Sequence, residues 1–338
     1  MRTNKNVKGQ ALIIAAIFII IILIFLWSVV NIPAIKTGQM QSDVEVHSQM
    51  HTMSNALDAA KLYMETSLEY STYQACYDNL RKGGWDSIPS GKAYQGYALW
   101  DSSGGQPDKA AFEGSMDNSI KSNLALYRGT QAYTFLLDYY VNLPAYNDVV
   151  VTTDDNDPKW MFVSAFSDSN LNIQKTQESG EYIRLEKEST LQNQDEYRID
   201  CYGIYRKGAE VYSKTKTAIE GIVGQLNLPS IVKLNSGETL DSRLASYKIQ
   251  FNDSSKQAAY SLSETSADYD VSVYFISSDI RCTEYEVTAD GSRIRCAPEV
   301  YVKIEITNIK DDQQFPIYDG SSVIFSPMTL VFVGKYGL

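Results

Sequence analysis

The longest uninterrupted apolar stretch of the chain is residues 11–30, in which Ser28 is the only polar side chain. At about 1.5 Å per residue, a helix of this length spans roughly 30 Å, which is the hydrocarbon thickness of a bilayer. Arg2, Lys5 and Lys8 precede the stretch without an acidic residue among them. Because cations stay on the cytoplasmic side, the pattern predicts a single transmembrane helix with the N-terminus inside and the rest of the chain outside the cell.

A second helical pattern follows the membrane segment. Apolar residues recur at alternating steps of four and three from Val46 to Met64, which is the spacing of one helical face. The pattern predicts a helix of about forty residues over 40–80, ended by Gly83 and Gly84. A helix with such an apolar face needs a partner surface, either another helix or the sheet of its own ectodomain.

The middle of the chain mixes helical and extended patterns. Residues 117–142 predict a helix with Asp117 as its N-cap, and residues 209–225 predict another amphipathic helix. Alternation typical of strands occupies residues 149–151, 159–166, 171–174, 182–186 and 197–205.

The last hundred or so residues carry no strong helical pattern. Turn signals separate five extended segments there, at residues 246–251, 270–277, 285–287, 300–306 and 323–333. Several short strands with turns between them favour a β-sandwich-like domain.

The residues just before the apolar run carry a candidate processing signature. A short basic leader ends in Lys8-Gly9-Gln10 and directly abuts the run. This arrangement resembles the class III signal peptide of archaeal type IV pilin-like proteins, which a prepilin-type peptidase of the membrane cuts after the glycine. The resemblance implies cleavage between Gly9 and Gln10 and a helix retained as the stem of the subunit. It also implies membrane lipid and other pilin-like subunits as partners of that helix.

One position departs from the pilin pattern. Many pilins carry Glu at the fifth position of the mature chain, where this sequence has Ile14. The missing charge argues against a major, polymer-forming subunit and leaves open a minor pilin or a surface protein that only shares the export route. Two alternatives remain open, a plain single-pass anchor and a cleaved secretory signal. The length of the run and the lack of a small-residue cleavage pattern in residues 31–35 argue against the secretory signal.

The predicted fold class is α+β, an N-terminal transmembrane helix continued by a long amphipathic helix, then a mixed α/β region and a C-terminal β-sandwich-like domain. The predicted segments are a leader peptide (1–9), a transmembrane helix (10–32), an amphipathic stem helix (33–84), a mixed helix and strand domain (85–228) and a β-rich domain (229–338).

Four cysteines lie on the predicted outer side, and an even number outside the cell predicts two disulfides. Cys282 and Cys296 flank alternating apolar residues around a turn at residues 289–291, which is a hairpin signature. Folding that hairpin brings the two cysteines opposite each other. The sequence therefore favours Cys282–Cys296 and leaves Cys76–Cys201 as the second, long-range disulfide.

Composition narrows the classes of partner. The net charge of −11 argues against nucleic acid, because phosphate binding needs clustered lysine and arginine. The 24 tyrosines suit exposed contact surfaces, since tyrosine combines a large contact area with a polar tip. Tyrosines that fill strands and helix faces are an equal alternative.

Candidate chemical sites are few. His47 and His51 are four residues apart but lack the intervening Glu of an H-E-x-x-H motif, and residues 154–157 lack the glycine and terminal Glu of a calcium loop. Neither is predicted to bind a metal, and residues 154–157 are interpreted as a turn. Asn252 begins an Asn-Asp-Ser sequence and is either a glycosylation site or part of an ordinary polar turn. No catalytic or cofactor motif stands out.

These observations predict a non-enzymatic, cell-surface, membrane-anchored pilin-like subunit, a minor one, that acts in filament assembly or adhesion. No cofactor is expected, and the ectodomain is predicted to be extracellular. The alternative is a non-assembling, single-pass membrane-anchored ectodomain that binds or senses a ligand. An anchored extracellular hydrolase is a third class, for which the sequence identifies no catalytic residues.

Overall fold

The computed structural model describes residues 40–102, 104–129, 139–176, 182–192, 200–226, 231–234, 238–288, 291–309, 315–319 and 321–337. The predicted leader and transmembrane helix lie outside these ranges. Inside them, no helix is both long and apolar enough to cross a bilayer. The chain divides into two compact units, Met1–Ser54 and Asn55–Leu338.

The described ranges form a mixed α+β fold, as the coarse fold class predicted, with four helices. They are α1 (Met40–Arg81), α2 (Lys109–Gly129), α3 (Cys201–Leu226) and α4 (Leu240–Ser261). The bounds of α1 confirm, to within one residue, the helix that the apolar periodicity predicts over 40–80. Gly83 and Gly84 follow it with φ of +69° and +92°, a backbone conformation that glycine adopts without strain.

The strands of the described ranges are β1 (Ala93–Tyr94), β2 (Tyr97–Trp100), β3 (Tyr140–Asn142), β4 (Asp148–Thr153), β5 (Met161–Phe166), β6 (Leu171–Thr176), β7 (Tyr182–Lys187), β8 (Leu191–Gln192), β9 (Ile231–Leu234), β10 (Glu264–Thr265), β11 (Tyr269–Thr288), β12 (Gly291–Asn308), β13 (Phe315–Tyr318), β14 (Val323–Ser326) and β15 (Thr329–Gly337). The largest sheet has seven strands in the order β1-β2-β15-β12-β11-β10, and β9 also pairs with β12. Smaller sheets pair β13 with β14, β3 with β6 and β7, and β4 with β5 and β8.

Two predicted elements of the middle region are wrong in their bounds. The helix α2 begins at Lys109, so Asp117 lies in its interior and is not an N-cap. Asp108 caps this helix instead, because its carboxylate accepts a hydrogen bond from the Ala111 N–H at 2.8 Å. Residues 201–205, predicted as the end of a strand, form the first turn of α3.

The predicted β-sandwich of residues 229–338 is also wrong. Residues 246–251 are helical and belong to α4, whose N-cap is Thr239. The buried residues of α4 include Leu244, Phe251 and Ser255, which follow helical spacing. One sheet takes strands from both sides of the predicted boundary at residue 228, since β2 pairs with β15. The compact unit Asn55–Leu338 likewise runs through that boundary.

The main core lies between α3 and the large sheet. Every second residue of β12 from Val300 to Ile306 is fully buried. On the neighbouring strands, the rings of Trp100 and Phe332 stack at 3.7 Å. Gly208 allows α3 to pack closely against the sheet, since a Cβ atom at this position would lie 2.3 Å from a methyl carbon of Leu330. The β12 residues between these buried ones turn their side chains to the other face of the sheet.

Candidate functional site

A surface of interleaved tyrosine and lysine side chains lies on the face of the large sheet opposite its α3 core. Strand β12 alternates buried aliphatic residues with Glu299, Tyr301, Lys303 and Glu305, which are half-buried. The alternation follows from the two-residue period of a strand. We call this surface the tyrosine–lysine face, defined as Tyr94, Tyr97, Tyr274, Tyr301, Lys303 and Lys335.

Aromatic rings and ammonium groups interleave across the tyrosine–lysine face. The rings of Tyr94 and Tyr301 stack with their centroids 4.4 Å apart. The Nζ atom of Lys303 lies 4.6 Å from the centroid of the Tyr97 ring and 5.9 Å from that of Tyr274. Both distances are within the range of cation–π attraction. Strand register produces this pattern, because Tyr274 is the direct cross-strand partner of Lys303.

Carboxylates neutralise the ammonium groups of the tyrosine–lysine face. Lys335 Nζ lies 3.0 Å from Glu299, and Lys303 Nζ lies 2.5 Å from Glu305. The hydrogen bond to Glu299 is the main reason that the pKa of Lys335 is raised. Burial alone would lower the pKa of Lys303, but Glu305 and Tyr97 outweigh it, so that this pKa is raised as well. Both lysines therefore stay protonated, and the ion pairs hold their ammonium groups beside the tyrosine rings.

The two predicted disulfides are present, with the pairing that the sequence favoured. Cys282 and Cys296 are direct cross-strand partners in the β11–β12 hairpin, with their Cα atoms 4.0 Å apart. Cys76 of α1 is bonded to Cys201, the first residue of α3, across 125 residues of sequence. Two structural disulfides are typical of an extracellular or secreted protein.

The other residues considered as sites in the sequence belong to separate parts of the chain. Lys8, Gly9 and Gln10 lie outside the described residues. Asn252 is within α4, partly buried, and its side-chain oxygen accepts a hydrogen bond from the Ser278 hydroxyl at 3.2 Å. His47 and His51 are exposed on α1.

The acidic segment 154–157 forms an exposed turn, as interpreted from the sequence. Asp155 accepts hydrogen bonds from Lys109 Nζ at 3.0 Å and from the Tyr202 hydroxyl at 2.8 Å. The hydrogen bond from Lys109 is the largest cause of the lowered pKa of Asp155. Over the ranges that the structure describes, no group of three or more His, Cys, Asp and Glu residues could hold a metal ion.

Sequence reasoning missed a buried polar network beside the long-range disulfide. Asp200 is 6% exposed, and its carboxylate accepts hydrogen bonds from the Tyr269 hydroxyl at 2.7 Å and from the Asn308 amide at 3.1 Å. These bonds join the start of α3 to β11 and β12. The partners are 69 and 108 residues away along the chain, so no local pattern could have indicated them.

Comparisons of the chain with protein-family models, with curated proteins and with solved structures found no match. The functional interpretation of the tyrosine–lysine face therefore depends on its geometry and on the N-terminal sequence.

Proposed function

We propose that the chain is a membrane-anchored, pilin-like subunit of the cell surface, a minor one, that acts in filament assembly or adhesion. The observation that carries the proposal is the basic leader ending in Lys8-Gly9-Gln10 directly before the apolar run of residues 11–30. The 42-residue helix α1 begins shortly after that run, as a stem requires. The disulfides support an extracellular location for the head.

The proposed mechanism is physical and needs no catalysis. The cations Arg2, Lys5 and Lys8 hold the leader at the cytoplasmic face, because moving them through the bilayer interior costs several kcal/mol. A prepilin-type peptidase that cuts after Gly9 would remove this tether. The stem could then pack side by side with other stems in the membrane, while the head faces outward.

The tyrosine–lysine face is the proposed contact surface of the head. Tyrosine loses little conformational entropy on binding, and here the rings are already held by stacking and by neighbouring lysines. Tyr274 remains 45% exposed within it and is available to a partner.

Mass analysis of the N-terminal peptide from the native host tests the proposal. We expect a mature chain that begins at Gln10. Gly9→Val should block cleavage, because a larger side chain obstructs the peptidase, whereas Ala11→Val is the matched control that should be processed normally. Protease added to the outer surface should digest the head of both variants, which shows that insertion is unchanged.

A mature chain that still begins near Met1, in a host with an active prepilin-type peptidase, would refute the proposal. Ile14 at the fifth mature position favours a second candidate function, a non-assembling single-pass ectodomain that binds or senses a ligand. An uncleaved chain that is monomeric in detergent would support this second function.

A further inference from the structure

The hairpin β13–β14 has one edge that is capped by a side chain. Gln74 of α1 donates a hydrogen bond to the Tyr318 carbonyl at 3.2 Å and accepts one from the Tyr318 N–H at 2.8 Å. Both backbone groups of Tyr318 therefore point away from β14. Its cross-strand pair with Val323 is thus of the non-hydrogen-bonded kind, in which the two residues turn their backbone groups outward.

The other edge of the hairpin is open with respect to the residues that the structure describes. The Asp319 N–H donates to the Ser322 carbonyl at 3.1 Å, which fixes the alternation along the hairpin. By this alternation, the N–H and C=O groups of Val323 and Phe325 point away from β13. Neither residue's backbone has a hydrogen-bond partner at this edge among the residues that the structure describes.

Two longer edge strands among the described residues, β4 and β7, are protected. On β4, the N–H groups of Val151 and Thr153 donate to the carboxylates of Asp117 and Glu113 at 2.6 and 2.8 Å. Strand β7 carries the charged side chains of Arg184, Glu186 and Lys187. Such devices prevent one sheet edge from pairing with another. Strand β14, with the sequence Val-Ile-Phe-Ser, has no charged residue and no proline.

The same strand carries exposed apolar side chains. Val323 is 63% exposed and Phe325 is 50% exposed, and Tyr318 beside them on β13 is 57% exposed. An uncharged edge flanked by exposed apolar side chains is the surface that adds a strand from another chain.

We propose that this edge binds a second copy of the same chain, by antiparallel pairing of the two β14 strands. The strand is self-complementary in that arrangement. Val323 of each copy lies opposite Phe325 of the other, and their outward backbone groups exchange hydrogen bonds. Ile324 then lies on the two-fold axis, opposite its own counterpart, as an isologous interface requires.

The capped edge of β13 explains why each hairpin pairs with one other copy and does not extend into a sheet of many copies. Because Gln74 occupies the far edge of β13, a pair of hairpins forms a closed four-stranded sheet. Two four-residue strands bury far less than the roughly 1,200 Å² of a stable complex. The pairing is therefore weak in dilute solution and strengthens where heads are concentrated.

Cysteine cross-linking of the full chain in detergent tests the pairing. All four native cysteines are in disulfides, so an introduced cysteine supplies the reactive thiol. Under mild oxidation, Ile324→Cys should give a covalent dimer, and the turn variant Ser321→Cys should not. Val323→Cys and Phe325→Cys should each cross-link poorly alone but should cross-link to each other when mixed.

The second part of the experiment places a charged side chain on the open edge of β14. In the Ile324→Cys background, Phe325→Lys should abolish the cross-link without lowering the melting temperature. The matched control is Phe162→Lys, because Phe162 is also an exposed phenylalanine of a strand, at 46%; it should leave the cross-link intact.

Equal cross-linking of Ile324→Cys and Ser321→Cys would overturn the proposal, as would loss of the cross-link in both lysine variants. Efficient cross-linking of Val323→Cys to itself would overturn the antiparallel register. None of these outcomes changes the N-terminal peptide mass, so failure here is distinguishable from failure of the proposed pilin-like processing.

Discussion

Removal of the Cys76–Cys201 disulfide should destabilise the folded head more than removal of Cys282–Cys296. A disulfide limits the conformational freedom of the unfolded chain, and the effect grows with the length of the loop that it closes. Cys76–Cys201 closes a loop with a separation of 125 residues, whereas Cys282–Cys296 spans 14. The corresponding losses of unfolding free energy are about 5 and about 3 kcal/mol.

The local environment supports the same order. Cys76 and Cys201 are both fully buried, and the bond joins two helices whose bonded cysteines are 125 residues apart in the sequence. The Cys282–Cys296 bond instead reinforces a hairpin that backbone hydrogen bonds already hold along β11 and β12. The double substitutions should be to alanine, because a serine hydroxyl buried without a partner would add its own penalty.

Guanidinium unfolding of the full chain in detergent, followed by tryptophan fluorescence, measures both losses. Trp100 is buried against Phe332 and reports the opening of the main core. We expect the Cys76→Ala/Cys201→Ala variant to be less stable than Cys282→Ala/Cys296→Ala by about 2 kcal/mol. Equal losses, or a larger loss for the hairpin disulfide, would refute the argument from loop length.

Two further predictions concern Asp117 and Gly83. Burial raises the pKa of Asp117 from 3.8 in the unfolded chain to about 6 in the folded one. As the pH rises between these values, the carboxyl ionises in the unfolded chain first, so the stability of the wild type falls. Asp117→Asn keeps an oxygen for the Val151 N–H, and it should be about 1 kcal/mol more stable than wild type at pH 7.5 and no more stable at pH 4, by urea unfolding. Gly83→Ala places a Cβ atom 2.6 Å from the Ala98 Cβ and should cost roughly 1–3 kcal/mol in thermal melts. Gly91→Ala, also at positive φ but with nothing within 4 Å, should cost less.

The sequence predicted best those elements in which apolar residues recur at one constant spacing over many residues. The helix α1 holds its apolar face over many turns, so its bounds were predicted to within a residue. The β11–β12 hairpin was indicated by the turn-forming sequence Ala-Asp-Gly of residues 289–291 and by the spacing of Cys282 and Cys296. Both signals are local, and tertiary packing does not overrule them.

Helices rich in strand-forming residues were missed for a physical reason. The start of α3 contains Tyr202, Ile204 and Tyr205, whose side chains are favoured in strands. The two tyrosine rings are nevertheless buried three residues apart on one side of the helix, and the ring centroid of Tyr205 lies 4.7 Å from that of Phe112 in α2. In α4, residues 246–251 alternate locally like a strand, although the N-cap Thr239 was a usable signal for a helix.

Side chains that cap strand edges could not have been predicted at all. Asp117 was interpreted as a helix cap because Asp commonly has that role, but here its carboxylate accepts the Val151 N–H, 34 residues away. Gln74 caps β13 across 244 residues. An edge can be recognised as open only after the sheets are known, so the proposed β14 contact has no counterpart in the sequence analysis.

The tyrosine–lysine face depends on a β-bulge in β11, which the sequence indicates only by a change of phase in its apolar residues. The register of β11 against β12 shifts between Phe275 and Ser277. Before the shift, the buried residues of β11 are odd-numbered, as at Val273, and after it they are even-numbered, as at Ile280. Without the extra residue, the far part of β11 would turn its apolar side chains to the opposite face. The bulge thus lets Tyr274 lie beside Lys303 while Ile280 stays in the core, and this change of phase in the apolar pattern is the signal that would locate the face.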